Sequence, residues 1–361
     1  MGQEMNRRGF LKGALLAAGA AATSGLVLPQ AVQASSNREL ATMLDLSKCV
    51  GCESCVDACR EANAKYMPEP VKPIPEMFPP RVRIEDWSDK REVRDRLTPY
   101  NWLYIQTAYG RDASGEEQEV FIPRRCMHCQ NPPCANLCPF GAARKEKNGL
   151  TRIDADICLG GAKCRQVCPW GIPQRQSGVG IYLDLATSFA GNGVMYKCHR
   201  CYERLGAGEQ PACIAACPEG VQTIGPRDEI VAQAKKRAEE IKGYLYGLDE
   251  NGGTNTIYVS PVPFDELDRS LEQQLEAESD KEFAHVAGGQ GPKDPGEQRK
   301  LRKSLHQQRR QGRPRLGPVA DAMADSENLT LALVLAPLAG AAAGLAKAKK
   351  FFSREKGAGK S

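Results

Sequence analysis

Fifteen cysteines, all between Cys49 and Cys217, are the residues of this chain best equipped for chemistry. They form four groups: Cys49-x2-Cys52-x2-Cys55-x3-Cys59 (motif I), Cys126-x2-Cys129-x4-Cys134-x3-Cys138-Pro139 (motif II), Cys158-x5-Cys164-x3-Cys168-Pro169 (motif III) and Cys198-x2-Cys201-x11-Cys213-x3-Cys217-Pro218 (motif IV). Three thiolates on one tight loop can hold three corners of an iron–sulfur cubane. The next cysteine, three residues on, begins a helix and points toward the other cluster of a pair. A proline after it ends the loop and removes a backbone donor that would need a partner. The odd total excludes a complete disulfide framework. Zinc takes four ligands, commonly as two separated pairs, which leaves the repeated third and fourth cysteines and their prolines without a purpose. A zinc or disulfide scaffold with no redox role is therefore the weakest alternative.

Four cubanes take sixteen thiolates, one more than the chain carries, and the gap can be located. Motif I spacing laid on motif III asks for cysteines at 158, 161, 164 and 168, and position 161 is Gly161. The loop then holds a three-iron cluster, or a 4Fe-4S cluster whose last corner takes water or a distant ligand. A neighbour such as Asp156 or Lys163 is the alternative donor. His128 and His199 sit between paired cysteines, where a tight loop turns them away from the metal and toward hydrogen bonding around it. Arg124, Arg125, Lys163, Arg165, Lys197 and Arg200 crowd the later motifs. They suit raised cluster potentials, a docked partner or simply a solvated surface.

These four motifs, with one Cys-x11-Cys, resemble the four-cluster ferredoxin-type electron-transfer subunits of the DmsB, FdnH and NrfC type. The resemblance implies an α+β fold of two nested dicluster ferredoxin-like units, motifs I+IV outside and II+III inside. It also implies the ligand sets. Cys49, Cys52, Cys55 and Cys217 hold one cluster, and Cys198, Cys201, Cys213 and Cys59 a second. Cys126, Cys129, Cys134 and Cys168 hold a third. Cys158, Cys164 and Cys138 hold the last, with Gly161 in place of the missing ligand. That gives three 4Fe-4S clusters and one 3Fe-4S or incompletely ligated 4Fe-4S cluster. Within the family the chain is similar to the HybA-like subunits of membrane-bound nickel–iron hydrogenases, in its N-terminal signal, its apolar tail and the stretches Pro226–Arg237 and Gly252–Val259.

The elements that must position these loops are sparse. Residues 44–60 with 195–225 form the outer unit and 100–194 the inner one. A proline-rich insertion at 61–99 reads as a surface loop. Tyr100–Tyr109 and Glu119–Ile122 read as strands joined by a polar turn. Ala143–Glu146 and Leu150–Ile153 flank Asn148-Gly149, a strong hairpin signal. In the 226–265 extension, Asp228–Leu248 has helical spacing with Asp228 as N-cap, and Ile257–Val259 is a short strand. The 266–328 stretch reads as a polar linker, without regular structure unless a partner orders 266–325.

Both ends read as addresses. Residues 1–34 carry Arg7-Arg8-Gly9-Phe10-Leu11-Lys12, a mildly apolar stretch and Val32-Gln33-Ala34, the form of a twin-arginine signal peptide. Residues 329–346 hold no charge and read as a transmembrane helix, followed by a basic cytoplasmic tail at 347–361. The chain is expected at the periplasmic face of the cytoplasmic membrane, its C-terminus cytoplasmic. The net charge of +5 belongs to these ends, since residues 35–346 carry −2. A nucleic-acid partner is excluded, because no basic body remains to neutralise phosphates.

No nucleophile constellation, phosphate loop or pair of catalytic acids accompanies the cysteines. The chain reads as an electron wire without a catalytic centre, expected to link the small and large subunits of a nickel–iron hydrogenase to an integral quinone-reactive membrane subunit. Passage through the twin-arginine machinery goes with that reading. The alternative keeps the wire and makes the partner a molybdopterin oxidoreductase of the formate dehydrogenase or reductase type.

Overall fold

The structure is a computed structural model that describes residues 38–76, 82–185, 193–287, 292–325 and 327–335. The chain divides into residues 1–33 and 34–361, and the described residues all belong to the second unit.

Strand β1 (Leu40–Asp45) leads into motif I, and helix α1 (Ser54–Ala62) leaves it. A long hairpin comes next, β2 (Tyr104–Arg111) with β3 (Glu117–Arg124). Motifs II and III are built on two single-turn helices, α2 (Pro133–Asn136) and α3 (Lys163–Gln166). Between them lies the hairpin of β4 (Ala143–Lys145) and β5 (Thr151–Ile153). Its turn is the Asn148-Gly149 pair, with Gly149 at φ +80° where a side chain would be strained. β6 (Gln174–Gln176), α4 (Tyr182–Leu185) and β7 (Val194–Tyr196) complete the inner segment. Motif IV carries α5 (Tyr202–Gly206) and α6 (Ala212–Ala215). Beyond it come β8 (Gln222–Pro226), α7 (Arg227–Glu240), β9 (Tyr244–Tyr246) and β10 (Thr256–Ser260).

The outer unit is closed by a four-stranded sheet in the order β8-β1-β10-β9. The strand that enters motif I lies antiparallel to the strand that leaves motif IV, Leu40 facing Pro226 and Leu44 facing Gln222. Asp45 N–H donates to Val221 C=O at 2.8 Å. The first and last cysteine loops, with the whole inner unit between them in sequence, are thus held side by side by a backbone ladder. β10 covers the other edge of β1 in parallel register, Thr42 facing Thr256. Helix α7 packs Ile230, Ala234 and Ala238, at i, i+4 and i+8, on Ala41, Ile257 and Val259. It ends earlier than its periodicity suggests: Lys242 has φ 51°, Gly243 N–H caps Ala238 C=O at 2.8 Å, and residues expected to extend the helix form β9.

Residues 266–325 differ from expectation. They hold α8 (Phe264–Ala287) and α9 (Pro295–Arg310), with α8 packed on both α9 and β2. Phe264, Leu267, Leu271 and Leu275 are buried, an i, i+3, i+7, i+11 stripe diluted in the sequence by charge. Those charges pair across the helices, Arg309 with Glu282 at 2.6 Å and Arg310 with Glu272. Arg315 reaches Asp268 at 2.9 Å.

The expected transmembrane helix is not supported, and the membrane-anchored localisation falls with it. Among the described residues no helix is long and apolar enough to cross a membrane. The helical stretch that opens at 327 is described only to 335; residues 336–346, the basic tail at 347–361 and the signal peptide expected at 1–34 lie outside the described residues. In sequence, Pro337 interrupts the apolar stretch, and alanine and glycine make up most of the residues after it, so its hydrophobicity is modest and its helix propensity broken.

The burial of α8 is directly testable. Leu267 is fully buried, and Leu267→Ala is expected to cost about 2–5 kcal/mol, read as a lower denaturant midpoint by circular dichroism. A midpoint equal to the parent's would mean that α8 is not packed on the body.

Candidate iron–sulfur site

The cysteine loops repeat one backbone design. In motif I, Gly51 (φ 70°) and Glu53 (φ 58°) lie in the left-handed region, and in motif III so do Gly160 (φ 64°) and Ala162 (φ 58°). These pairs stand at matching places between Cys49 and Cys55 and between Cys158 and Cys164, and each loop then enters a helix. Gly161 therefore occupies the backbone position of Cys52. His128 (φ 49°) and Arg200 (φ 54°) match each other in motifs II and IV. Left-handed residues curl a loop tightly and turn successive backbone N–H groups toward one concave side, a setting that suits an anionic group.

Helices cross the cysteines between loops. α1 bears Cys55 and Cys59, buried on one face, and packs on α6, which bears Cys213 ahead of Cys217. The inner unit repeats this, with α2 against α3, Cys134 ahead of Cys138 and Cys164 ahead of Cys168. Cys49, Cys52, Cys55 and Cys217 consequently line one cavity. Cys126, Cys129, Cys134 and Cys168 line another. Cys59 lies within electrostatic reach of Cys213, Cys198 and Cys201, and Cys164 within reach of Cys158 and Cys138. The four sets also touch in sequence. Cys213 raises the pKa of Cys55, Cys126 that of Cys198 and Cys134 that of Cys164, so the sets adjoin one another in a line, with the sets of Cys198 and Cys126 at its middle.

All fifteen cysteines are free, so the disulfide alternative is not realised. Among the described residues no three His, Cys, Asp or Glu side chains converge on a single-ion position. Most of the thiols are buried and hard to ionise alone. Burial, aided by Cys213, pushes Cys55 up to about 12, and burial lifts Cys168 to about 11. Exposed Cys52 is the exception, lowered by the Ser54 hydroxyl.

Cations surround these thiols. Arg125, Lys197 and Arg200 are buried, and their partners are sulfur, carbonyl and hydroxyl oxygen rather than carboxylate. Arg125 Nη1 donates to Cys213 Sγ at 3.0 Å, Lys197 Nζ to Cys126 Sγ at 3.4 Å, and Arg200 Nη2 to Thr256 Oγ1 at 2.7 Å. Buried charge without a counter-charge is strongly disfavoured. Arg125 Nε and Nη2 and Arg200 Nε have no partner at all. Neither does His128 Nε2, which must carry the ring proton because Nδ1 accepts from Thr151 N–H at 3.0 Å. Burial, then Arg200 and Lys197, keep His128 neutral. Orphaned donors facing anionic sulfur are what an iron–sulfur cluster with acceptor sulfides would satisfy, so the residues fit that group. His199 does not ligate either: its Nδ1 accepts from Tyr202 N–H at 3.2 Å, its ring meets Tyr66 and Trp102 edge-on, and burial holds it near 4. Asp156 lines a surface cavity of about 570 Å³ with Trp102, Tyr196 and His199.

Sequence reasoning missed two residues here. Asn63, past the end of α1, donates to Cys59 C=O at 2.7 Å and toward its sulfur at 3.6 Å. Glu85, in the insertion expected to be a surface loop, takes both Arg165 guanidinium nitrogens at 2.6 and 2.7 Å and Arg175 Nη2 at 2.6 Å. Arg175 in turn donates to Gly160 C=O at 3.1 Å, so one carboxylate braces the motif III loop. Neither residue belongs to a local motif that would have flagged it.

Comparison with known proteins agrees with this geometry. Two family models of 4Fe-4S dicluster domains match residues 48–142 and 118–227, which makes this an iron–sulfur protein of the dicluster ferredoxin class. The chain is 30% identical to the hydrogenase-2 operon protein HybA of Escherichia coli O157:H7 over 304 residues, 73% of this chain and 83% of that protein. It is 27% identical to the nitrate-inducible formate dehydrogenase iron-sulfur subunit of Escherichia coli K12, covering 66% and 73% of the two proteins. It is 29% identical to the B subunit of the anaerobic dimethyl sulfoxide reductase of the same strain, covering 52% and 73%. The chain belongs to the family of HybA-like iron–sulfur electron-transfer subunits, whose catalytic centres lie on partner subunits.

Glu85 supplies a test. Burial would raise its carboxyl, but Arg165 and Arg175 hold it below the ordinary carboxylate range. A lowered folded pKa means a contribution complete above the ordinary value and lost as pH falls through the lowered one. At pH 7, Glu85→Gln should cost about 3–5 kcal/mol and hasten iron release to a chelator. Release at the parent rate would show that the brace is dispensable.

Proposed function

We propose that the chain carries electrons between a nickel–iron hydrogenase and an integral quinone-reactive subunit, through four clusters held in line. When bound, iron–sulfur clusters supply centres that gain and lose single electrons. The protein's part is to hold them close, to keep water from most of the sulfurs and to set their charge environment. The observation that carries the reading is the line of thiol sets. Cys49, Cys52, Cys55 and Cys217 hold the cluster at one end. Cys198, Cys201, Cys213 and Cys59 hold the next, followed by Cys126, Cys129, Cys134 and Cys168. Cys158, Cys164 and Cys138 hold the far end. The twin-arginine motif at Arg7-Arg8 supports export of the folded chain by the twin-arginine machinery.

The far-end cluster is of the three-iron type. Gly161 stands where motif I has Cys52, its backbone lies outside the strained left-handed region, and a Cβ built there meets nothing within 4 Å. The position is exposed, as Cys52 is, so a cysteine would fit without strain. Gly161→Cys is expected to add one iron per chain and to remove the low-temperature EPR signal of an oxidised three-iron cluster. Unchanged iron and an unchanged spectrum would show that the missing ligand lies elsewhere.

Similarity to formate dehydrogenase and dimethyl sulfoxide reductase subunits supports a second reading, in which the partner is a molybdopterin enzyme. Metal analysis of the complex purified gently without oxygen separates the two. Nickel with iron is the expected result. Molybdenum or tungsten without nickel would overturn the hydrogenase partner and leave the wire in place.

A further inference from the structure

Two buried cations at the middle of the line are exchanged between the units. Arg125 precedes Cys126 of the inner set in sequence, yet its guanidinium reaches Cys213 of the outer set at 3.0 Å. Lys197 precedes Cys198 of the outer set, yet its ammonium reaches Cys126 of the inner set at 3.4 Å. Each backbone is thus tied to one cluster's loop while the charge is delivered to the other. The ammonium is fully engaged: its other donors go to Cys198 C=O at 3.1 Å and to Thr151 C=O, so it cannot swing away. Arg125 keeps two buried nitrogens without a protein partner. Other charged or titratable groups beside them include Arg200, also cationic and buried, Tyr258 next to Arg125, and His128 and His199.

We propose that Arg125 and Lys197 form a crossed pair of fixed cations that raises the reduction potential of the two middle clusters together. The proposal rests on the ligand sets given under Proposed function. Adding an electron makes a cluster more negative, and a nearby fixed positive charge in a dry interior favours that state. Hydrogen bonds to the ligand sulfurs and local net charge act in the same direction. Lys197 lies beside thiols of both sets, Cys126, Cys134 and Cys198, and Arg125 beside Cys213 and Cys198 of the outer one, so the charge of the pair spans the junction and the two potentials move together. The electron gained by one middle site is the one lost by its neighbour along the wire. Lys197 and Arg125 are positioning residues of the electron path and carry no electron themselves.

The test is a potentiometric titration followed by EPR, on the complete complex carrying Lys197→Gln, Arg125→Gln or Lys197→Arg, with iron measured in each. Lys197→Gln should weaken reduction of both middle clusters about tenfold, a fall of about 59 mV for one electron, and move the two end clusters less. Arg125→Gln should lower the cluster of the Cys213 set most, and Lys197→Arg should restore the parent values. In Lys197→Gln a fall confined to one cluster, equal falls in all four or no fall, or a Lys197→Arg variant shifted as far as Lys197→Gln, would overturn the proposal. Should Lys197→Gln lose its clusters, retention of iron by Lys197→Arg would show that the charge is required, and loss in both would mean a packing role and overturn it. A parent complex with iron for fewer than four clusters would overturn the ligand reading itself, and this proposal with it.

Discussion

Three buried cations among the thiol sets, two of them hydrogen-bonded to sulfur and none to a carboxylate, impose the condition on which the rest of this structure depends. Arg125, Lys197 and Arg200 lie where water does not reach, and an isolated buried charge costs several kcal/mol even after relaxation. Protonated thiols cannot balance them, and burial makes most of the thiols reluctant to ionise alone. Iron resolves both difficulties, because ligation deprotonates the thiols and leaves the cluster with net negative charge. The core and its cofactor are therefore one electrostatic unit. A chain of this design is expected to fold fully only as its clusters are inserted.

The same condition explains the nested topology. A cluster pair needs cysteines from two loops whose helices cross, and the loops of the outer pair are separated by the whole inner unit. The β1–β8 ladder joins them, and β10 and α7 bury the far side of that ladder. α8 covers β2 from outside: Tyr109 N–H donates to Ser270 Oγ at 3.0 Å and Arg111 N–H to Glu266 Oε2 at 2.8 Å. This C-terminal helix, backed by α9, thus occupies backbone donors of β2 that an exposed strand edge would leave unpaired.

How far these features are legible in sequence depends on the range of the interaction behind them. Cysteine loops, the Asn148-Gly149 hairpin and the vacancy at Gly161 are set by residues within a few positions of each other, and all can be read directly. The ligand sets need the family likeness, because spacing alone does not say which loop completes which cluster. α8 and α9 are obscured because charge masks a regular apolar stripe, and the charges find their partners only in three dimensions, as Arg313 does with Glu278 at 2.6 Å. Periodicity overextends α7 because Ile241 and Leu245 keep helical spacing across a glycine-centred stop. Glu85 is invisible for the same reason as the roles of Arg125 and Lys197: the partners are distant in sequence. For the apolar tail, length and lack of charge outweigh Pro337 and the many small residues in a sequence reading, although those residues set its modest hydrophobicity.

The arginines of motifs II and III show why a basic local sequence carries little meaning by itself. Arg165 and Arg175 share the Glu85 carboxylate and serve to brace a loop. Arg125 and Lys197 look no different in sequence, but no carboxylate pairs with them, and they face sulfur. Their charge is felt in full by whatever occupies the thiol sets, while that of the braced pair is offset by half. Similar residues thus fall into two electrostatic classes according to whether an acid was placed beside them. Here the acid lies at the Gly161 end of the line, and cations without any acid beside them lie at its middle. The asymmetry along the line of thiol sets comes from side chains other than the cysteines.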